Sequence, residues 1–275
     1  MTAVAPTLYL VTVSSGRELR AFGADLPTLR LAYNPGPALY YHWEDDPALL
    51  VSFVYLKPFL DRRPQYRYRT WAMDSGAFSA QRSGTPVDLV EYTETCRELL
   101  ATDPTLAEVF ALDVIGDWRA SLKNTEAMWK AGVPAIPCFH VGEPEDALVG
   151  MARDYPKIAL GGAVGLRPKP KKAWTAQCFA CIWPKAVHGF GFGAEWALMD
   201  FPFHSVDATS WESPNRFGNW RAFDGARVSV RGSHQNLRAE VRWFLALEGR
   251  ARQKWAALWA KHPTLIDALP REVPA

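Results

Sequence analysis

Three aspartates stand where a strand-like run of this chain gives way to a turn. Asp74 follows Thr70–Met73 and opens Asp74-Ser75-Gly76-Ala77-Phe78, Asp113 closes Val109–Asp113, and Asp207 follows Phe203–Val206. His140 follows a further run, Ala135–Phe139. Glycine-rich turns follow two more, Gly161-Gly162-Ala163-Val164-Gly165 and Gly189-Phe190-Gly191-Phe192-Gly193. Two carboxyl groups placed on either side of one bond can serve as nucleophile and as general acid/base. A third can accept hydrogen bonds from the N–H edge of a substrate, and glycines let backbone groups approach it closely. Singly, each residue reads as a helix cap, a turn former or a structural histidine. Only their convergence would make a site, so the elements that carry them decide the question.

Short β-rich runs alternate with longer amphipathic stretches. The predicted strands are Thr7–Val13, Leu49–Tyr55, Thr70–Met73, Val109–Asp113, Ala135–Phe139, Ile158–Leu160, Ala186–Phe190 and Phe203–Val206. Few alternate polar with apolar residues, as expected of parallel strands buried on both faces. The clearest predicted helices are Pro86–Ala101, Ser121–Ala131, Glu143–Asp154 and Lys171–Cys181. Pro86, and the acids Glu143, Glu145 and Asp146, suit helix N-termini. This alternation predicts an α/β fold, a parallel (β/α)8 TIM-type barrel, with an open doubly wound sheet as the alternative. In a barrel the carboxyl ends of the strands share one face, which gathers the acids, the histidine and the glycine turns. Residues 1–236 form the predicted barrel domain. Residues 237–275 form a C-terminal extension whose helix, Leu237–Lys261, packs on it. The stretch Arg17–Asp46 reads as loop-rich.

The bulk properties set limits. A net charge of +2 is too small to argue for nucleic acid, so such an argument must come from where the charges sit. The 4 cysteines suggest no disulfide framework, which favours a reducing compartment. The first residues lack a basic leader, and no apolar run approaches the length of a membrane span. A cytoplasmic protein with no membrane partner is expected, its oligomeric state open. Gly189–Gly193 is not the spacing of a dinucleotide fingerprint, so no such cofactor is expected.

At these residues the sequence resembles the tRNA-guanine transglycosylase superfamily. The family's D-S-G-G-F motif is similar to Asp74-Ser75-Gly76-Ala77-Phe78. Its G-G-x-x-V-G turn resembles Gly161-Gly162-Ala163-Val164-Gly165, one residue shorter, and its M-G-x-G turn resembles Phe190-Gly191-Phe192-Gly193. The resemblance runs from Thr70 to Trp211. It implies a (β/α)8 barrel that exchanges guanine for another base, with Asp207 as nucleophile and Asp74 as general acid/base. It also implies Asp113 as the base-recognising acid, with His140, Gly161, Gly162, Ser75 and Phe78 around the base. The family's zinc cysteines follow the nucleophile, whereas no cysteine follows Cys181 here, so that zinc is not expected. Cys178 and Cys181 have the spacing of half a zinc site, but without a second cysteine pair they read as half-buried cysteines within a helical pattern; no metal or cofactor is expected. The chain is shorter than typical members. It looks like the compact relatives found in viruses, acting in a host cytoplasm, and in pathways that place 7-deazaguanines in DNA.

The resemblance therefore implies two partners: a nucleic acid, DNA slightly ahead of tRNA, and a free 7-deazaguanine base. Arg167, Lys169, Lys171 and Lys172 form a Pro-spaced loop suited to a phosphate backbone, joined by Arg216 and Arg221. Arg62, Arg63, Arg67 and Arg69 also cluster, but ahead of a strand and so on the opposite end of a barrel. Two other functions fit the same residues. One is an N-glycoside hydrolase using water in place of a second base; the other is a non-catalytic nucleic-acid-binding barrel.

Overall fold

A computed structural model describes residues 28–32, 47–212, 219–221, 227–229 and 237–262. The chain is an α/β protein built on a parallel sheet. Its strands are β1 (Thr28–Ala32), β2 (Ala48–Ser52), β3 (Trp71–Asp74), β4 (Leu106–Val109), β5 (Cys138–His140), β6 (Lys157–Gly161), β7 (Ala186–Gly189) and β8 (Ser205–Ala208). They lie in the order β4-β3-β2-β1-β8-β7-β6-β5, every neighbouring pair parallel. Beyond β4, Phe110 forms a parallel bridge to Ile136, so the two end strands of this order also hydrogen-bond through the residues beside them. A separate antiparallel pair joins β9 (Asn219–Arg221) to β10 (Arg227–Ser229).

The connections carry helices α1 (Leu56–Arg62), α2 (Ala77–Ser83), α3 (Leu89–Thr102), α4 (Trp118–Lys130), α5 (Glu145–Asp154), α6 (Pro168–Ile182) and α7 (Glu195–Asp200). Helix α8 (Leu237–Trp259) packs against α7 and β1, and its Phe244, Leu247 and Ala251 join the main apolar core. Trp255 Nε1 donates to the Leu198 carbonyl at 2.7 Å, and Glu248 pairs with both Arg69 and Arg252.

Strand side chains alternate between two faces. Leu49 and Val51, Trp71 and Met73, and Ile158 and Leu160 face the helices. Leu50, Ala72 and Ala159, between them, join Phe110, Ile136 and Cys138 in a second, smaller apolar cluster to which no helix contributes. The parity extends to the ends of the strands. Asp74 continues the Ala72 row, His140 the Cys138 row, Gly161 the Ala159 row and Asp207 the row of Ser205. The register adds that Asp207 lies beside Arg30, and Asp74 beside Ser52.

Several expectations shift. The predicted strand Thr7–Val13 lies outside the described residues. A strand instead occupies Thr28–Ala32, inside the stretch read as loop-rich. Arg30 interrupts its apolar pattern, yet it is buried against Glu108 (Nη2 to Oε2, 2.5 Å). The fourth strand ends at Val109, earlier than expected, because Phe110 and Ala111 turn to pair with Ile136. The basic cluster before β3 is structural in part. Arg63 pairs with Asp103, which also accepts from Trp71 Nε1 (2.9 Å) and from the Thr105 amide and hydroxyl (2.9 and 2.7 Å). Arg69 is held by Glu248 on α8 at 2.9 Å.

A buried carboxylate with so many donors is costly to delete, since each donor is left without its acceptor. Asp103→Ala is expected to cost about 3 kcal/mol of unfolding free energy in urea denaturation. A loss below about 1 kcal/mol would show that Asp103 is not the staple between α3, β3 and β4.

Candidate active site

Asp74 sits at the carboxyl end of β3. Its carboxylate accepts hydrogen bonds from the backbone N–H groups of Ser75 and Gly76. Gly76 is needed there: its φ is +75°, and a Cβ would lie 2.6 Å from Ser52 Oγ. The Ser75 hydroxyl donates to Asp113 Oδ1 at 3.0 Å and accepts from the Ala77 amide at 3.3 Å, so one side chain ties the β3 turn to the acid beyond β4. Asn124 on α4 fixes the same segment through the Leu112 carbonyl at 2.9 Å.

His140, at the end of β5, lies between two carboxylates. Its Nε2 is 3.0 Å from Asp113 Oδ2 and its Nδ1 is 3.2 Å from Glu143 Oε1. Glu143 also accepts from the His140 amide at 2.9 Å. Each ring nitrogen facing a carboxylate favours a proton on both. Burial opposes that charge, but Cys138, Asp113 and Glu143 outweigh it and hold the His140 pKa well above the imidazole range. Gly161 completes this wall, where a Cβ would stand 2.7 Å from Cys138 Sγ and 3.2 Å from His140 Nε2.

Asp207, on β8, is only 5% exposed. Its Oδ1 accepts from the Gly191 amide at 2.6 Å. The Gly191 carbonyl in turn accepts from Lys171 Nζ at 2.7 Å, and that ammonium lies 4.0 Å over the Phe192 ring. Burial pushes the Asp207 carboxyl up to about 7, against the lowering pull of the Gly191 N–H and of the Lys171 and Arg30 charges. Asp74 is likewise pushed up to about 7, first by burial and then by the charges of Asp113 and Asp207. The aspartates of β3 and β8 therefore share one electrostatic environment, with Asp113 and His140 as its third and fourth members.

Asp113, Cys138 and His140 each bring one ligand atom within 4.8 Å of the others, so they are the described residues that could hold a divalent ion. In the arrangement here the same atoms satisfy one another through protons. The Cys138 thiol is pushed up to about 11 by burial and lies 3.6 Å from His140 Nε2. Cys178 and Cys181 lie on α6, away from any such group among the described residues. A cavity of about 450 Å³ flanks the β8 end, lined by Gly191, Gly193, Glu195, Ala208, Ser210 and Trp243.

Of the residues expected at the site, Asp74, Ser75, Asp113, His140, Gly161, Gly162 and Asp207 lie at the same ends of their strands. Phe78 lies in the first turn of α2 and is 57% exposed, placed on the surface and not in the core. The phosphate loop is corrected. Pro168, Lys169 and Pro170 form the first turn of α6, because proline presets a helical φ at the first positions. Lys171 is buried on the Gly191 loop and exposed Lys172 is paired with Asp200 at 2.5 Å, leaving Arg167 and Lys169 as the exposed cations of that set without an ion pair among the described residues. Arg216 lies outside the described residues, and Arg221 falls on β9. Glu143, expected to serve a helix terminus, turns back to His140 instead. Sequence reasoning missed Glu143, Cys138 and His188 as parts of the site, and gave Lys171 a phosphate contact where the structure gives it the Gly191 carbonyl; the Cys138-Phe139-His140 alternation was the available signal for Cys138.

No protein-family model and no curated protein matches the chain. Among solved structures, it is similar to the carboxyl transferase domain of Rhizobium etli pyruvate carboxylase with pyruvate. That match has 12% identity and a TM-score of 0.40, over 92% of this chain and 48% of that one. The same domain with 3-hydroxypyruvate gives 14% identity and a TM-score of 0.37, over 94% and 49%. The chain thus spans about half the length of these proteins. Likeness at this level carries no functional argument. No helix among the described residues is long and apolar enough to cross a membrane.

The raised carboxyl groups make stability depend on pH. Asp74 has an ordinary value of 3.8 and a folded value of about 7, so the fold binds its proton more tightly than the unfolded chain does. That contribution is complete below the unfolded value and is lost as pH rises through the folded one. Asp74→Asn, which stays neutral, is therefore expected to gain in Tm relative to the natural chain between about pH 4 and about pH 8. A Tm difference that stays constant across that range would contradict the raised value.

Proposed function

We propose that this chain is a guanine transglycosylase acting on nucleic acid, which replaces a guanine by a 7-deazaguanine base through a covalent aspartyl-sugar intermediate. The observation that carries the reading is the effect of the Asp207 charge on Asp74, from a distant strand, beside the Asp113–His140 pair. The resemblance from Thr70 to Trp211 gives these positions their roles. We propose likewise that the sheet closes into a (β/α)8 barrel, with the Phe110–Ile136 bridge as its seam.

Asp207 attacks C1′ of the sugar as a carboxylate. The C1′–N9 bond breaks, its electron pair leaves with the guanine, and Asp74 donates a proton to that base. The ester formed holds the sugar while guanine exchanges for the incoming base. Asp74, now ionised, takes a proton from the incoming base, whose ring nitrogen attacks C1′. The ester bond then breaks and its electron pair returns to Asp207. Pairs of carboxyls in retaining glycosidases divide their roles in this way. A folded value of about 7 lets Asp74 hold and release a proton near neutral pH.

Asp113 suits the N1–H and exocyclic amine of guanine. The Ser75 hydroxyl and His140 fix its two oxygens, and each oxygen keeps a second lone pair for a ligand. With the Ser75 hydroxyl and the His140 ring both directed at it, the Asp113 carboxyl presents its remaining lone pairs as acceptors, which suits a base edge that presents donors. Exposed Phe78 offers a stacking surface at the mouth. A base within a duplex must be flipped out or already unpaired to reach such a site. In keeping with the resemblance to the compact relatives, DNA is placed slightly ahead of tRNA as the substrate.

Exchange of radiolabelled guanine into DNA and into tRNA, run in parallel, tests the reading. The natural chain is expected to incorporate label and Asp207→Ala to fall to background while remaining folded by circular dichroism. Retained exchange in Asp207→Ala would remove the nucleophile assignment. Release of base without incorporation would point to hydrolysis instead.

A further inference from the structure

A chain of buried polar groups runs below the aspartates, along the face of the sheet turned away from the helices. Arg30 Nη2 donates to Glu108 Oε2 at 2.5 Å. Lys157 Nζ lies 2.6 Å from Glu108 Oε1, 2.8 Å from His204 Nδ1 and 2.8 Å from Ser205 Oγ. Ser205 Oγ lies 2.8 Å from His188 Nδ1, and His188 Nε2 lies 3.7 Å from Asp207 Oδ1. Lys157, His188 and Ser205 are fully buried. The mechanism above uses none of these groups.

Proton counting fixes the direction of every link. An ammonium has three protons and no lone pair, and Lys157 has three acceptors around it. It therefore donates to Glu108, to His204 Nδ1 and to Ser205 Oγ. Ser205 Oγ accepts a hydrogen bond from Lys157, and its own buried O–H finds an acceptor only at the remaining neighbour, His188 Nδ1. An Nδ1 that accepts cannot carry a proton, and a neutral imidazole then carries its proton on Nε2. Burial, with the Arg30 and Lys157 charges, keeps the His188 pKa well below the imidazole range, so the ring is neutral. Phe110 and Phe190, with ring centroids 4.6 and 4.7 Å away, hold its plane.

The consequence falls on Asp207. Among the described residues His188 Nε2 has no hydrogen-bond partner, although it is buried. An orphaned buried donor is costly, which makes its direction informative. It faces Asp207 Oδ1, the oxygen already held by the Gly191 amide at 2.6 Å.

We infer that Lys157 and Ser205 lock His188 in its Nε2–H tautomer, and that His188 is a positioning residue whose N–H, with that of Gly191, holds Oδ1 of Asp207 and leaves Oδ2 as the oxygen that attacks. The tautomer follows from the buried chain alone. The naming of the attacking oxygen rests on the reading of Asp207 as nucleophile. On approach to the sugar the 3.7 Å gap closes to a hydrogen bond, and the two donors support the carboxylate again when the ester breaks. His188 is fully buried, so its influence is expected in the chemical step and not in substrate binding.

Imidazole-15N NMR of the whole chain reads the tautomer directly, without substrate. Of the 6 histidines, the signals lost in His188→Gln identify this one. The expected result at neutral pH is a neutral ring with its proton on Nε2 and a hydrogen-bonded, unprotonated Nδ1. A proton on Nδ1, or an imidazolium, would overturn the inference. Ser205→Ala is expected to mix the tautomers and to lower kcat for exchange about tenfold with KM unchanged, and Ser205→Thr to restore both. If Ser205→Ala shifts neither the tautomer nor kcat, the relay is wrong. If the natural chain shows the expected tautomer but no exchange, the relay stands and the transglycosylase reading falls.

Discussion

Charged side chains on the inner face of a parallel sheet have no bulk water to screen them, so each must meet a partner from another strand or give up its charge. This requirement organises the molecule. Near the amino ends of the strands the balance is struck by pairing: Glu108 lies between Arg30 and Lys157, which hold its carboxyl well below its usual range despite burial. At the carboxyl ends the balance is different. Asp74, Asp113, Glu143 and Asp207 converge there, and His140 is paired with only two of them, Asp113 and Glu143. The remaining carboxyls, Asp74 and Asp207, respond by holding protons up to about pH 7.

The proposed chemistry uses that imbalance. A group that takes and returns a proton at neutral pH must be strained toward its neutral form, and here the strain comes from burial and from neighbouring like charges. The proposed base-recognising partner, Asp113, is met by the His140 ring and the Ser75 hydroxyl. Asp207 lies between these extremes, with a backbone donor and a buried lysine supporting its charge while burial opposes it. The glycine turns let this happen at close quarters. Gly161 leaves room beside Cys138 and His140, and the Gly191 loop is pinned by Lys171 at a point where its amide meets Asp207.

The part of the site that caps strand ends was legible in the sequence, because Asp74, Asp113, His140 and Asp207 each follow an apolar run and their side-chain parity follows from the alternation. The layer beneath was not. Lys157 and Ser205 open their strands and Glu108 precedes the expected run Val109–Asp113, places where a polar residue ordinarily reads as a solvated end, and only the three-dimensional register makes them neighbours. Arg30 went further and disguised a strand, since a charge in the middle of Thr28–Ala32 argues against burial until Glu108 is brought to it. The Pro-Lys-Pro-Lys-Lys run from Pro168 to Lys172 failed in the opposite sense. Proline suits both extended loops and helix starts, and the choice was made by a long-range contact, Lys171 with the Gly191 carbonyl.

The account depends most on the shared electrostatics of Asp74 and Asp207, and carboxyl-13C NMR titration of the aspartates measures it directly. Both groups should titrate near pH 7, and Asp207→Asn should lower the midpoint of Asp74. Independent titration of both near about pH 4, the value of a solvated aspartate, would contradict it.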